Sequence, residues 1–199
     1  MGELLLIRHG RTEWSAAHRH TGRTDVPLTP EGEEQARSLR PLLAGRPFAR
    51  VLTSPLVRAS HTADLAGLTG AEAEPDLMEW DYGGYEGITT ADIRTRRPGW
   101  YLWRDGVVPG DAEHPGETVE EVGARADRVL ARVAPLLADP EAGDVALVGH
   151  GHQLRVLTAR RLGLPPDHGR LFRLDTAAVG RLGLEHDRPV LTAWNLAPE

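Results

Sequence analysis

Leu4-Leu5-Leu6-Ile7-Arg8-His9-Gly10-Arg11-Thr12 opens the chain with four apolar residues that run directly into an arginine and a histidine. A continuous apolar run this short suits a strand at the centre of a sheet, covered on both faces. A first strand is therefore predicted over residues 3–8. The polar stretch that follows, 9–28, is rich in Gly, Thr, Arg and His. It is too long for an idle connection and reads as a functional loop. Neighbouring strand residues point to opposite faces, so Arg8 and His9 can meet one ligand only if the chain leaves strand geometry at His9. Gly10 is the residue expected to permit that turn.

Working outward, Thr29-Pro30 supplies an N-cap and a first-turn proline for a helix continuing through Leu43 to Gly45. A second strand is predicted over 50–53, and Ser54-Pro55 repeats the cap signature before a helix that reaches Leu65. Residues 71–78 read as a short third strand leading into Glu79. From 82 to 117 the pattern is irregular, broken at Gly83-Gly84, Pro98-Gly99, Pro109-Gly110 and Pro115-Gly116. With only a short helix near 90–96, this segment is predicted to be an insertion folded over the site. Residues 118–138 form a long amphipathic helix with Val122, Ala126, Val129, Val133 and Leu137 on one face. A buried strand over 144–148, a helix over 152–162 and two or three strands within 171–195 complete the chain. Strands alternating with helices predict one α/β domain over 1–199, with a largely parallel sheet covered by helices on both faces.

The bulk numbers narrow the function. With 199 residues, 40% of them hydrophobic and 26% charged, the chain can bury an ordinary globular core. The absence of cysteine excludes disulfides, zinc-thiolate sites and iron–sulfur clusters. A formal net charge of −6 argues against nonspecific binding to nucleic acid or anionic membranes. The first residues carry an acid where a signal peptide needs a base, and no segment approaches the roughly 18 apolar residues of a membrane span. A cytosolic location is expected. All 23 basic residues are arginine. That removes the P-loop lysine, the kinase lysine and Schiff-base chemistry, so any phosphate must be held by arginine, histidine or backbone.

In open α/β sheets, ligands bind beyond the carboxyl ends of the strands. Three predicted strands end in Arg8-His9-Gly10, in Ser54-Pro55 followed by Arg58, and in Gly149-His150-Gly151-His152. Topology alone thus brings two histidines and two arginines to one edge. A single histidine at a strand end is ordinarily structural; its company here argues for chemistry. His152, inside the next helix, is expected to be structural or to support its neighbours. His18 and His20 have no convincing carboxylate partner for a metal, and a surface loop is the better reading. No metal and no other cofactor is predicted.

Leu6-Ile7-Arg8-His9-Gly10-Arg11-Thr12-Glu13-Trp14 resembles the signature of the histidine phosphatase superfamily, whose fold is that of the phosphoglycerate mutases. The likeness continues through Asp25-Val26-Pro27-Leu28-Thr29 and Thr53-Ser54-Pro55-Leu56-Val57-Arg58-Ala59. It reappears in Leu77-Met78-Glu79-Trp80-Asp81-Tyr82-Gly83, in Pro115-Gly116-Glu117-Thr118 and in Val148-Gly149-His150-Gly151. The resemblance implies a three-layer α/β sandwich and a phosphohistidine mechanism. By it, His9 is the nucleophile, Glu79 the proton donor, and Arg8, Arg58 and His150 surround the phosphoryl oxygens. His150 is expected to be cationic beside a bound phosphate dianion. The second ring nitrogen of His9 is expected to be held by a backbone carbonyl near Gly10.

Phosphatases and mutases share these motifs, so the choice rests on the surroundings. The mutases carry a lysine-containing basic cluster and an asparagine where this chain has Ser15, and those departures weaken the mutase alternative. Trp14-Ser15, Thr21-Gly22, Glu79 to Gly83 and Trp103-Arg104-Asp105-Gly106 resemble instead the mycobacterial broad-specificity acid phosphatases and the sedoheptulose-bisphosphatases. A phosphatase of small phosphorylated metabolites, sugar phosphates among them, is expected. Ser15, Thr21, Gly22, Tyr82 and Arg104 are predicted to line the substrate rim. Trp103 and Arg104 are candidates to close over the substrate, with Trp103 equally suited to the core. An acidic optimum follows if Glu79 must be protonated for the first step. A phospho-ligand binding protein without catalysis is the remaining alternative, and phosphoprotein substrates are disfavoured by the insertion. The oligomeric state is open.

Overall fold

The computed structural model describes residues 2–197. Its six strands are β1 (Leu4–Arg8), β2 (Phe48–Thr53), β3 (Glu72–Ala73), β4 (Asp144–Gly149), β5 (Val179–Glu185) and β6 (Arg188–Leu196). The helices are α1 (Glu13–Ala16), α2 (Pro30–Ser38), α3 (Arg40–Leu43), α4 (Val57–Leu65), α5 (Thr90–Arg96), α6 (Leu102–Asp105), α7 (Val119–Ala138) and α8 (Gly151–Arg161).

The strands form one sheet in the order β3-β2-β4-β1-β5-β6. The pairs β1/β4, β2/β4 and β2/β3 are parallel, whereas β1/β5 and β5/β6 are antiparallel. The apolar run that opens the chain lies near the middle, and Leu4 to Ile7 are all fully buried. Alternation divides it between two cores. Leu4 and Leu6 pack with Leu52, Leu147 and the α7 face Val122, Ala126, Val129 and Val133. Leu5 and Ile7 pack on the other side with Val51, Ala146, Leu39 and Ala59. Helices on both faces of a mostly parallel sheet are what uniformly apolar strands require.

Several local expectations need correction. The helix from Thr29 does not reach Gly45: α2 ends at Ser38 and α3 follows at once. Pro41 carries no N–H and cannot continue the α2 ladder. Thr29 does cap α2, its Oγ1 accepting from Gly32 N at 3.1 Å. Ser54 does not cap α4, which begins at Val57; instead Asp25 Oδ1 accepts from Val57 N at 2.8 Å. The third strand is only Glu72–Ala73, because Pro75 starts a single tight turn over Pro75–Leu77. The segment 82–117 holds a second short helix, α6. The two or three strands expected within 171–195 are two, β5 and β6, as the pattern allowed. Gly10 does not serve as a left-handed turn; its φ is not positive. It is needed because a Cβ there would lie 2.2 Å from Gly32 O, so loop and α2 backbones touch.

Among the described residues, no helix is long and apolar enough to cross a membrane.

Candidate active site

The carboxyl ends of β1 and β4 meet at a cleft of about 230 Å³, and Ser54 at the end of β2 lies behind it, 2.8 Å from the His150 ring. A larger groove of about 820 Å³ lies at the opposite end of β2. It contains neither a histidine nor a buried charged side chain, so the smaller cleft is where the chemistry gathers.

His9 follows β1 and is 4% exposed. Its Nδ1 lies 2.7 Å from Gly10 O. A carbonyl only accepts, so Nδ1 carries the proton and Nε2 keeps its lone pair. Burial, with Arg58 and Arg8 nearby, holds the His9 imidazole well below the usual histidine range. The ring is neutral at pH 7, as a nucleophile must be. Arg8 donates from Nη1 to Leu174 O at 2.7 Å, while its buried Nε has no hydrogen-bond partner among the described residues. A buried guanidinium N–H left unmade in the residue that lines the cleft together with His9 is a ready place for an anion.

His150, the N-cap residue of α8, is fully buried, and its ring centroid lies 5.1 Å from that of His9. Arg58 Nε donates to His150 Nδ1 at 3.1 Å, and His150 Nε2 lies 2.8 Å from Ser54 Oγ. Arginine cannot accept, so Nδ1 is bare and Nε2 bears the hydrogen. The expected imidazolium would need a proton on Nδ1, which the Arg58 contact forbids in this geometry. Burial, Arg58 and His9 likewise push the His150 pKa well down. The remaining Arg58 donors hold the loop: Nη1 to Thr24 O at 2.9 Å, Nη2 to Thr21 O at 3.2 Å and to Gly22 O at 2.8 Å.

Glu79 is 5% exposed and caps α8 from another part of the chain. Its Oε1 accepts from Trp80 N at 2.9 Å and Gln153 N at 2.8 Å, and its Oε2 from His152 N at 3.0 Å. These donors occupy the helix start that the His150 side chain leaves uncapped. Oε2, with one hydrogen bond, is the oxygen with more room for a proton.

Of the predicted rim residues, Ser15, Thr21 and Tyr82 line the cleft together with Arg8, His9 and Glu79. Gly22 and Arg104 do not. Gly22 is buried against Trp80 O and Tyr82, and its N–H donates to Glu86 at 2.9 Å. Arg104 is exposed, paired with Asp105 at 2.7 Å, and faces a different groove. Arg58 and His150 lie behind the lining residues. His18 and His20, expected on a surface loop, and His152, expected to be structural or supporting, also line the cleft, as do Thr90 and Arg155, which carried no expectation. His20 is not a bare surface residue: Nδ1 lies 2.7 Å from Ile88 O and the ring packs edge-on against Tyr82 and Trp100. His152 Nδ1 lies 2.6 Å from Tyr82 Oη. The signal for Arg155 was helical spacing, since it sits four residues after Gly151 on the face that meets the site. Trp103 is buried and forms the wall of an adjoining chamber of about 270 Å³ with Trp100, His152, Arg155 and Arg94. Among the described residues, no group of three or more His, Cys, Asp or Glu side chains is arranged to hold a metal ion.

Comparison with known proteins identifies the family. The model of the histidine phosphatase superfamily (branch 1) matches residues 4–197. The chain is 43% identical to an acid phosphatase of Mycobacterium tuberculosis over 92% of this chain and 87% of that protein. It is 34% identical to the sedoheptulose 1,7-bisphosphatase of Saccharomyces cerevisiae over 80% of this chain and 67% of the relative. A mycobacterial glucosyl-3-phosphoglycerate phosphatase, solved with VO3, superposes with a TM-score of 0.85 at 30% identity, covering 99% of this chain and 100% of the other. The chain belongs to the histidine phosphatase superfamily.

Proposed function

We propose that the protein hydrolyses small phosphomonoesters through a phosphohistidine on His9. The observation that carries this reading is the His9 imidazole itself: neutral, locked through Nδ1 by Gly10 O at 2.7 Å, and adjacent to an arginine with an unpartnered buried N–H. Names of similar proteins, an acid phosphatase and a sedoheptulose 1,7-bisphosphatase, support the same activity.

In this mechanism Arg8 grips the phosphoryl oxygens with its unpartnered N–H, Arg58 fixes the His150 tautomer, and the His150 Nε2–H joins the grip only by leaving Ser54 Oγ, on which it is held at 2.8 Å. The lone pair of His9 Nε2 forms a bond to phosphorus in line as the ester P–O bond breaks. Glu79 gives its proton to the departing oxygen, and the ring keeps its Nδ1–H on Gly10. Water then attacks phosphorus, Glu79 takes a proton from it, the P–N bond breaks, and His9 returns to its neutral form.

The cleft and the adjoining chamber together suit a metabolite rather than a folded phosphoprotein. Arg94 and Arg155 line that chamber, and no acid does. Sugar phosphates, with hydroxyl and anionic groups, fit such walls.

The test is phosphate release from p-nitrophenyl phosphate and a panel of sugar phosphates, with and without EDTA. Activity that survives EDTA and disappears in His9→Ala is the expected outcome. Efficient interconversion of 3- and 2-phosphoglycerate, stimulated by 2,3-bisphosphoglycerate, would replace this reading with that of a mutase. Turnover of a phosphopeptide above that of every sugar phosphate would overturn the substrate class.

A further inference from the structure

Glu79 is not placed by its own side-chain contacts alone. The segment that carries it, residues 76–81, has little regular structure, yet its carbonyls are gripped from behind by one buried arginine. Arg125, on the α7 face toward the sheet, is 7% exposed. Its Nη1 donates to Asp76 O at 2.7 Å and Met78 O at 3.0 Å, and its Nη2 to Glu79 O at 3.4 Å. The guanidinium is itself held by Glu117, Nε to Oε1 at 2.7 Å and Nη2 to Oε2 at 2.9 Å.

Glu117 extends the grip to the other side of Glu79. Its Oε2 accepts from Asp81 N at 2.9 Å, its N–H donates to Asp81 O at 3.0 Å, and its carbonyl accepts from Trp80 Nε1 at 2.8 Å. Burial alone would raise the Glu117 carboxyl, but the Arg125 hydrogen bonds and charge, with the Asp81 N–H, bring it below its ordinary value. The pair therefore stays ionised, and a bidentate fork has a single low-energy geometry. Neither residue lines the cleft.

We propose that Arg125 and Glu117 are positioning residues for proton transfer, a buried brace that sets where the Glu79 carboxyl meets the leaving oxygen. The proposal rests on the reading of Glu79 as the acid. A general acid works only within hydrogen-bond reach of its target, and small displacements cost rate steeply. Arg125 is tied to three successive points of the 76–79 backbone, so loosening it moves Glu79 without removing any group from the cleft.

The test uses two substrates that differ in their need for that proton. A nitrophenolate leaves readily without one; an alkoxide, as from glycerol phosphate or a sugar phosphate, does not. Arg125→Lys keeps the charge but loses the fork, and Glu117→Gln keeps an acceptor oxygen but loses the charge. Each variant is expected to lower kcat/KM, which reports transfer to His9 and not the later water step that both substrates share, by about tenfold or more for the alkyl phosphate and by less than about twofold for p-nitrophenyl phosphate. The ratio of the two rates is independent of how much of the variant is folded, so it can be read even from a weakened protein. A merely structural role would lower both rates alike, and an unchanged ratio in both variants overturns the proposal. Glu79→Gln is the control: if it leaves the ratio unchanged, the assignment of the acid itself is wrong. If it lowers the ratio while both brace variants do not, the brace alone is refuted.

Discussion

Acidification should weaken this fold in a pH window set by its active-site histidines. His9 and His150 are both buried, with pKa values held well below the ordinary histidine value by burial first and by neighbouring charge second. As the pH falls through about 6.5, the unfolded chain takes up a proton at each position while the folded protein refuses it. The unfolded state then binds more protons, so stability rises with pH and is lost as pH falls below that value, down to the depressed folded pKa values. Each such proton contributes a slope of about 1.4 kcal/mol per pH unit, hence about 2.7 kcal/mol per unit for the two together. His152, lowered by burial and by Arg155, steepens the slope toward about 4 kcal/mol per unit. Against a total stability of roughly 5–15 kcal/mol this is a large fraction. The contribution of about 2.7 kcal/mol per unit from His9 and His150 alone corresponds to a fall in Tm of roughly 5–10 °C per pH unit for a chain of this size. Urea unfolding followed from pH 7.5 to 5 measures the slope directly, and His9→Asn should reduce it by about 1.4 kcal/mol per unit. Saturating inorganic phosphate, which binds only the folded site, should raise the whole curve. A stability that is flat or increases between pH 6.5 and 5 would show that these imidazoles titrate normally, and the neutral-nucleophile argument would fail with them.

Two further substitutions probe how the loop is held. Gly10→Ala places a methyl group 2.2 Å from Gly32 O, so it should destabilise by about 1–3 kcal/mol and lower kcat by roughly 10²-fold through displacement of His9; denaturant melts and steady-state rates check both. Asp25→Ala removes the acceptor for Val57 N at the start of α4 and should cost about 1 kcal/mol in urea unfolding while leaving KM for p-nitrophenyl phosphate within about twofold.

Much of the scaffold was legible because short-range physics decides it. The apolar run before Arg8 could only be a buried strand, and the stripe Val122, Ala126, Val129, Val133 and Leu137 could only be one face of a helix, which Thr118 and Glu121 open with a reciprocal capping box. The convergence of Arg8, His9 and His150 followed from topology, since parallel strands put their carboxyl ends on one edge. Other features were decided by partners distant in the chain and left little local trace. The cap of α4 comes from Asp25, 32 residues away, so Ser54 was free for His150. Gly10 looked like a turn residue, and only the approach of α2 shows that it is needed for space.

Arg58 shows most sharply what residue type and position leave undecided. An arginine at the start of a helix beside two histidines reads as a phosphate ligand, and nothing in its neighbourhood of the sequence says otherwise. In the folded chain it spends Nε on His150 and three further hydrogen bonds on the carbonyls of Thr21, Gly22 and Thr24. Those carbonyls belong to the loop that also carries the Thr21 wall of the cleft. One guanidinium thus fixes the proton on His150, the path of the loop and part of the charge that keeps His9 neutral. Pulling it toward a bound phosphate would have to release some of these contacts. Its five donors are therefore shared between building the site and serving it, and that division is set by carbonyls whose positions no local pattern predicts.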